Sequence, residues 1–138
     1  MSIIQTQTTS FKKELYQAVH NLSTDTLKIA LYTGNANLNE DTTAYSATNE
    51  VVATGYTAGG NTLTGVAISS SGSTAYVNWA NTSWTAALTA RCALIYNVTQ
   101  GNKSIAVIDF GADKTSTTTF TITMPANTST TALIRSSN

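Results

Sequence analysis

The residue types best suited to binding a metal ion lie between Asn35 and Asp41, where every second residue is Asn or Asp. Side-chain oxygens at alternate positions are the ligands of a calcium-binding loop. The stretch fails two other requirements of such a loop. Glu40 stands where a glycine should make the sharp turn, and Ser46 stands where a bidentate glutamate should complete the ligand shell. Because Asn and Asp also build turns through their own side chains, we predict a turn cluster here, with no metal or other cofactor.

The single histidine and the single cysteine do not suggest a catalytic site. His20 falls on the polar side of a predicted helix, and its neighbours in sequence offer no nucleophile. The chain has no Gly-x-Ser-x-Gly turn of the kind that presents a catalytic serine. Cys92 lies inside an apolar stretch, as a small buried side chain does, and one cysteine cannot form an internal disulfide. We therefore predict that the protein is not an enzyme.

Four aromatic residues could together form a platform on which sugars stack: Tyr45, Tyr56, Trp79 and Trp84. The alternative is that the two tryptophans fill the interior, where each would bury ~150–250 Å². Exposed tryptophans would favour a glycan site, and buried ones would favour the interior. The Gly59-Gly60 pair is interpreted as a hairpin turn, because no helix and no Lys-Ser/Thr follows it as in a phosphate-binding loop.

The charge content is low and balanced, with 10% charged residues, seven basic and seven acidic. An average globular protein has roughly 25%. Only Lys12 and Lys13 are adjacent among the basic residues, whereas nucleic-acid binding needs clustered Lys or Arg, so we predict no nucleic-acid partner. No apolar run approaches the ~20 residues of a membrane span, and the first ten residues lack the features of a signal peptide. We therefore predict no membrane partner and synthesis in a host cytoplasm.

The fold is organised around residues Ala90 to Phe110, which are predicted to form two apolar strands joined by a polar turn at Asn97 to Lys103. The strands show almost no polar alternation. A strand of that type is covered on both faces, so we predict the central hairpin of a β-domain.

The remaining segments alternate more strictly. We predict a helix at Phe11–Asn21 with Ser10 as its N-cap, and a one-sided strand at Thr26–Thr33. A long loop is expected at Gly34–Asn49, and loops of that length are usually functional or contact a partner. Further strands are predicted at Glu50–Thr57, Thr62–Ser69, Thr74–Ala80, Thr118–Met124 and Thr131–Arg135.

These elements predict a mainly β fold, an antiparallel β-sandwich or jelly-roll-like domain with one short N-terminal α-helix. The turn signals recur at roughly 8–12 residues, which is the spacing of such folds. Residues 1–9 are predicted to form a flexible N-terminal arm, and residues 10–138 a single domain.

Five stretches in the same order resemble a family of small structural proteins encoded by tailed bacteriophages: FKKELYQAVHNL, DTLKIALYT, TTAYSATNEVVATGYTAGGNTLTG, ARCALIYN and AVIDFG. The resemblance extends from about Phe11 to Met124, and its motifs are structural rather than catalytic. In that family the position of Cys92 is typically a small residue such as Gly.

The resemblance implies a virion component, most similar to a capsid decoration or cement protein that clamps neighbouring major capsid subunits. It implies the major capsid protein as partner, self-association on the capsid lattice, and a place on the capsid exterior. The alternative is a tail- or fibre-associated β-domain that binds host glycans. The expected partner contacts lie in the arm and the long loop: Ile3, Ile4, Asn35, Asn37, Asn39, Asp41 and Tyr45.

Overall fold

The structure, a computed structural model, is described here for residues 2–137. Strands account for 43% of the chain and helix for 6%, so the predicted mainly β class with one short helix is confirmed. The elements are β1 (Ser2–Ile3), β2 (Thr6–Gln7), α1 (Thr9–Tyr16), β3 (Leu27–Tyr32), β4 (Asn37–Leu38), β5 (Asn61–Thr62), β6 (Ala67–Ser71), β7 (Thr74–Asn78), β8 (Thr82–Trp84), β9 (Thr89–Asn97), β10 (Lys103–Thr115), β11 (Phe120–Ile122) and β12 (Ile134–Ser136).

The largest sheet has five strands in the order β2-β10-β9-β3-β5, and all its neighbouring strands are antiparallel. The β9–β10 hairpin forms its centre, as the sequence predicts. The register of this hairpin shifts between Asp109 and Lys114. Gly111, inside the shift, has a φ of +81°, which glycine adopts without a steric cost. The irregularity lets β10 continue along the first residues of β9.

The central sheet is buried on both of its faces. One face contributes residues such as Ile29, Ile95 and Ile105 to a large apolar cluster. The other contributes Leu94 and Val107, among others, to a second and smaller cluster. The predicted two-sided burial of the central hairpin is therefore confirmed.

Strand β3 differs from the predicted one-sided strand. Ala30 and Tyr32, which should face solvent, are 0% and 1% exposed. The reason is that the second cluster has its own cover, made by β1, β4 and the loop around them, which includes Ile3, Leu38 and Tyr45.

The N-terminal arm is not a free segment. Strand β1 pairs in parallel with β4, and β2 pairs antiparallel with β10. Ile3 packs against the second apolar cluster, while Thr8 is fully buried. The sequence alone predicts a flexible arm at residues 1–9; in the structure, backbone pairing and the partly buried Ile3 side chain attach residues 2–9 to the domain. Residue 1 lies outside the described residues.

Three smaller sheets complete the fold: the parallel pair β1-β4, the antiparallel pair β8-β11, and the three-stranded sheet β12-β7-β6. The last two supply Val77, Trp84, Phe120 and Ile134 to the large cluster. Side chains also connect these sheets to the central one. Asn61 on β5 donates to the Ser83 carbonyl of β8 at 2.8 Å.

The helix is shorter than predicted. Its N-cap is Thr8 rather than Ser10, and the Thr8 hydroxyl accepts from the Phe11 amide at 3.3 Å. It ends because Ala18 adopts a left-handed conformation, with a φ of +59°, and the Val19 amide turns back to the Glu14 carbonyl at 3.0 Å. Ala is not a residue type that signals such an end in a sequence.

The predicted strand at Glu50–Thr57 does not form. Its backbone makes only isolated bridges, Glu50 with Tyr32 and Ala53 with Tyr56. The Val51 amide donates to the Leu31 carbonyl at 3.0 Å, and the Tyr56 hydroxyl adds a side-chain bond by accepting from the Leu31 amide at 2.9 Å.

Candidate functional site

The structure brings the predicted contact residues of the arm and the loop together. Ile3 is in register with Leu38, and the Ile4 amide donates to the Leu38 carbonyl at 3.0 Å. Between Asn37 and Asp41, the Asn39 side chain accepts from the Asp41 amide at 2.9 Å. That bond is the asparagine-built turn expected from the sequence.

These residues divide into an outward and an inward group. Asn35, Asn37 and Asp41 are exposed, and Ile4 is 45% exposed. Ile3 and Tyr45 instead pack against the second apolar cluster. Asn39, which is half-buried, lines a groove of about 330 Å³ with Asn37 and Asp41. The arm and loop therefore form one surface, whose inward side chains are committed to the core.

Tyr45 leads to a buried cluster that sequence reasoning missed. Its ring stacks on Tyr96 with centroids 4.6 Å apart, and its hydroxyl donates to Glu50 Oε1 at 2.6 Å. Glu50 is only 7% exposed. Its other oxygen, Oε2, accepts from the Tyr56 hydroxyl at 2.5 Å and from the Gly59 amide at 2.8 Å. A single carboxylate thus takes three hydrogen bonds.

The tyrosines of this cluster are held neutral. Burial raises the pKa of Tyr56 above its usual value, and the hydrogen bond to Glu50 raises it further. Burial, followed by the charge of Glu50, raises the pKa of Tyr96 to about 12. The Tyr96 hydroxyl donates to the Gly59 carbonyl at 2.6 Å. Because the carboxylate and these hydroxyls are engaged with each other, the cluster joins segments and offers no free base or nucleophile.

His20 lies in a second buried network. It was expected on the polar side of a helix, yet its side chain has no exposed area, because the chain turns inward after Ala18. Nε2 lies 2.9 Å from Glu14 Oε1, and Nδ1 lies 3.0 Å from the Asn97 side-chain nitrogen. An amide nitrogen only donates, so Nδ1 accepts from Asn97, and the Nε2–H group donates to Glu14 Oε1.

The network continues to Asp25, whose carboxylate accepts from the Asn97 side chain at 2.8 Å. Burial acts to raise the pKa of Asp25. Hydrogen bonds from the Asn21 backbone, Asn97 and Gln100 act against it and leave the pKa below its usual value. Each side chain of this network is hydrogen-bonded to another member of it. Among residues 2–137, no serine, threonine or cysteine hydrogen-bonds to the histidine. The arrangement fastens the end of the helix to the end of β9.

The aromatic platform for sugars is not formed by the tryptophans. Trp79 and Trp84 are 5% and 4% exposed, and both belong to the large apolar cluster. Trp84 packs against Tyr56 and Phe120. Of the two alternatives, the structure shows the interior one.

Other chemistry is equally unsupported in the part of the chain that the structure describes. No group of three His, Cys, Asp or Glu side chains converges there as a metal ion would need. None of the helical segments in residues 2–137 has the length and apolarity that a membrane crossing requires. Cys92 is fully buried, and burial, with the charge of Asp109, raises the pKa of its thiol to about 12.

The most distinctive surface property is a separation of charge. No Asp, Glu, Lys, Arg or His occurs between Glu50 and Arg91, or between Lys114 and Arg135. These two stretches contain all of β5 to β8 and β11, and we call them the uncharged region. The signal was present in the sequence, and the structure shows that β8, β11, β6 and β7, which belong to the two smaller antiparallel sheets, carry most of it.

The uncharged region also presents apolar side chains to solvent. Val52 is 97% exposed and Ile68 is 55% exposed. A groove of about 500 Å³ borders the region; Met124 and Leu133 line it from the uncharged region, and Phe110 and Lys114 line it from β10. The region is therefore the best candidate for a protein-binding surface.

The chain was compared with protein-family models, with curated proteins and with solved structures, and none of them matches it.

Proposed function

We propose that this chain is a structural protein of a tailed-bacteriophage virion, and that it acts as a capsid decoration or cement protein. The observation that carries the proposal is the uncharged region. All seven basic and all seven acidic residues lie outside it, while it includes four whole strands, β5 to β8, in sequence. The resemblance of the motifs described above to phage structural proteins supports the same conclusion.

The physical reason concerns desolvation. Covering a charged side chain is costly unless a partner charge meets it, whereas Thr, Ser and apolar groups are covered at small cost. The centres of protein interfaces are depleted of charge for this reason. A specific interface buries ~800 Å² per partner, and the uncharged region can provide such an area from Thr, Ser, Ala and Val side chains.

The fold supports a clamp rather than an enzyme. We infer that the β8-β11 and β12-β7-β6 sheets face the central sheet across the large cluster as in an antiparallel β-sandwich of the jelly-roll type. Its buried polar groups, Glu50 and His20, tie segments together. A rigid domain of this kind stabilises a shell by holding two subunits at a fixed spacing.

The partners in this proposal are the major capsid protein and further copies of the chain on the capsid exterior, after synthesis in the host cytoplasm. Each copy bridges neighbouring subunits, so its second contact is effectively intramolecular and the total affinity exceeds that of either contact. The exposed part of the arm and loop surface, Ile4, Asn35, Asn37 and Asp41, would supply one contact and the uncharged region the other.

The proposal is tested by mixing purified protein with expanded phage shells that lack it, and pelleting the shells. We expect co-sedimentation that persists at ~0.5 M salt, because there is little ion pairing for salt to screen. Free capsid subunits should bind much more weakly. Val52→Glu and Thr119→Glu, which place a charge in the uncharged region, should reduce binding. Gln17→Glu adds the same charge to the exposed helix end and serves as the control.

Two results would refute the proposal. One is binding that disappears with salt, which would contradict an uncharged interface. The other is absence from shells combined with recovery on isolated tails, which would leave the tail or fibre alternative as the better interpretation.

A further inference from the structure

Strand β6 is an unprotected sheet edge. All five of its residues, Ala67–Ser71, are exposed, and it pairs only with β7 among residues 2–137. Proteins usually protect such edges with Lys, Pro, a bulge or a covering segment. β6 contains no charged residue and no Pro, so its row of free backbone groups can pair with another strand.

The opposite edge of the same sheet is protected. β12 has three residues and carries Arg135. The Arg135 carbonyl accepts a hydrogen bond from the Gln7 side chain at 2.9 Å. The sheet thus has one protected edge strand, β12, and one strand whose backbone groups are unprotected, β6.

The turn between β6 and β7 identifies the free backbone groups. Gly72, with a φ of +60°, and Ser73 form a two-residue turn that is closed by the pair Ser71 and Thr74. The closing pair of such a turn is hydrogen-bonded, and antiparallel pairs alternate between bonded and non-bonded from there. Ile68 and Ser70 therefore direct their N–H and C=O groups away from β7.

Ile68 also ends an apolar row that runs across the sheet. It is opposite Val77, which is opposite Ile134. Val77 and Ile134 are each 5% exposed, whereas Ile68 is 55% exposed. This row of apolar side chains is therefore buried at Ile134 and Val77 but exposed to solvent at Ile68, on the edge strand.

We propose that two copies of this chain associate by antiparallel pairing of their β6 strands, with Ile68 of one copy opposite Ile68 of the other. In this register the outward N–H and C=O of each Ile68 bond to those of its counterpart. The two sheets become one sheet of six strands, and the apolar row runs through it from Ile134 of one copy to Ile134 of the other.

The absence of charge on β6 and β7 favours a second copy of this chain as the partner of β6. A two-fold axis places each side chain near its own counterpart, so any charge near the axis repels itself. The whole β6–β7 hairpin, Ala67–Asn78, contains no charged residue and can face its own copy without that penalty. The inference is independent of the proposed capsid function, and its test needs only the purified protein.

The first test measures mass in solution by sedimentation velocity and light scattering. The wild-type protein should form dimers of the 14.5 kDa chain at concentrations of tens of micromolar. Ile68→Lys places two cations opposite each other and should raise the dimer Kd at least tenfold. Val98→Lys, a half-exposed valine in the β9–β10 turn, should leave the Kd unchanged. A monomeric wild type, or an Ile68→Lys variant that dimerises normally, would overturn the proposal.

The second test checks the register and does not require any loss of binding. Opposite residues in a hydrogen-bonded antiparallel pair have Cα atoms about 5.5 Å apart, within the range that a disulfide spans. Mild oxidation should therefore cross-link Ile68→Cys into a covalent dimer. Ser71→Cys, whose counterparts would be about 20 Å apart at ~3.3 Å per residue, should stay monomeric on a denaturing gel. Equal cross-linking of the two variants would refute this register.

Discussion

The Tyr56 hydroxyl donates a hydrogen bond of 2.5 Å to Glu50 Oε2 in the protein interior and accepts one of 2.9 Å from the Leu31 amide. One phenol therefore satisfies both a buried carboxylate and a backbone amide of the central sheet. The segment containing Glu50 forms no continuous strand, so this bond from the Leu31 amide adds to the backbone bond from the Val51 amide to the Leu31 carbonyl that attaches the segment to β3.

Replacing Tyr56 by Phe should destabilise the fold. The substitution leaves one oxygen of Glu50 and the Leu31 amide without this partner in a buried place, and an unpaired buried polar group costs about 1–3 kcal/mol. Urea unfolding followed by tryptophan fluorescence measures the change. Tyr16→Phe removes the same hydroxyl from a side chain that is 94% exposed and should leave the free energy of unfolding unchanged. Equal stability of both variants would show that the Glu50 cluster is not a structural anchor.

Asp25 should make stability depend on pH in the acid range. Its pKa is lowered in the folded protein relative to the usual value of 3.8, so the unfolded chain takes up this proton at a higher pH than the folded one. The stabilisation is fully present above pH 3.8 and is lost as the pH falls through the lower, folded value.

The measurement is the urea midpoint at a series of pH values from 5 downward. Asp25→Asn should lose part of the decrease that the wild type shows. Asp41→Asn, at an exposed carboxyl in the long loop, should keep the wild-type profile. A steeper decrease in Asp25→Asn than in the wild type would contradict the sign of the pKa shift.

The second apolar cluster can be tested through Leu94, which is 0% exposed. Leu94→Ala leaves a cavity between the central sheet and its arm-and-loop cover, and should cost about 2–4 kcal/mol. Against a total stability of roughly 5–15 kcal/mol, the loss should appear as a lower melting temperature in circular dichroism. Leu15→Ala, at a position 41% exposed on the helix, is the matched control. A silent Leu94→Ala would mean that this face of the sheet is not a core.

Ile3 and Ile4 should behave differently although they are neighbours. Ile3 packs against the second cluster, so Ile3→Ser should lower the free energy of unfolding by about 1–2 kcal/mol, part of the value of a fully buried side chain. Ile4 is 45% exposed, so Ile4→Ser should leave stability nearly unchanged and weaken binding to phage shells. Thermal unfolding and shell pelleting measure the two effects. The opposite assignment of effects would refute the division of the arm into an inward and an outward residue.

The features that the sequence predicted correctly are those set by local pattern. The β9–β10 hairpin was recognisable because Leu94, Ile95, Ile105 and Val107 leave no polar face, and only burial on both sides suits such strands. The turn at Asn39 was recognisable because an asparagine side chain bonds to its own backbone. Both depend on residues that lie close together in the chain.

The features that the sequence did not predict depend on distant partners. Ala30 and Tyr32 looked like the solvent side of β3 because nothing nearby in the sequence covers them, and their cover comes from the arm and the long loop. The segment after Glu50 looked like a strand because Val51 and Val52 favour one. In the structure the Glu50 carboxylate accepts hydrogen bonds from Tyr45, Tyr56 and Gly59. A cluster of this kind leaves no periodic pattern in the sequence from which it could be predicted.

The pairing of β2 with β10 sets an order of events during synthesis. Gln7 is in register with Ala106, so β2 needs a partner strand that is made nearly one hundred residues later. At ~5–20 residues per second, the arm waits about 5–20 s for its partner strand to leave the ribosome. The β2 edge of the central sheet therefore stays incomplete until β10 has been made. A bulky fusion placed before β1 should accordingly slow the pairing of β2 with β10 more than one placed after β12.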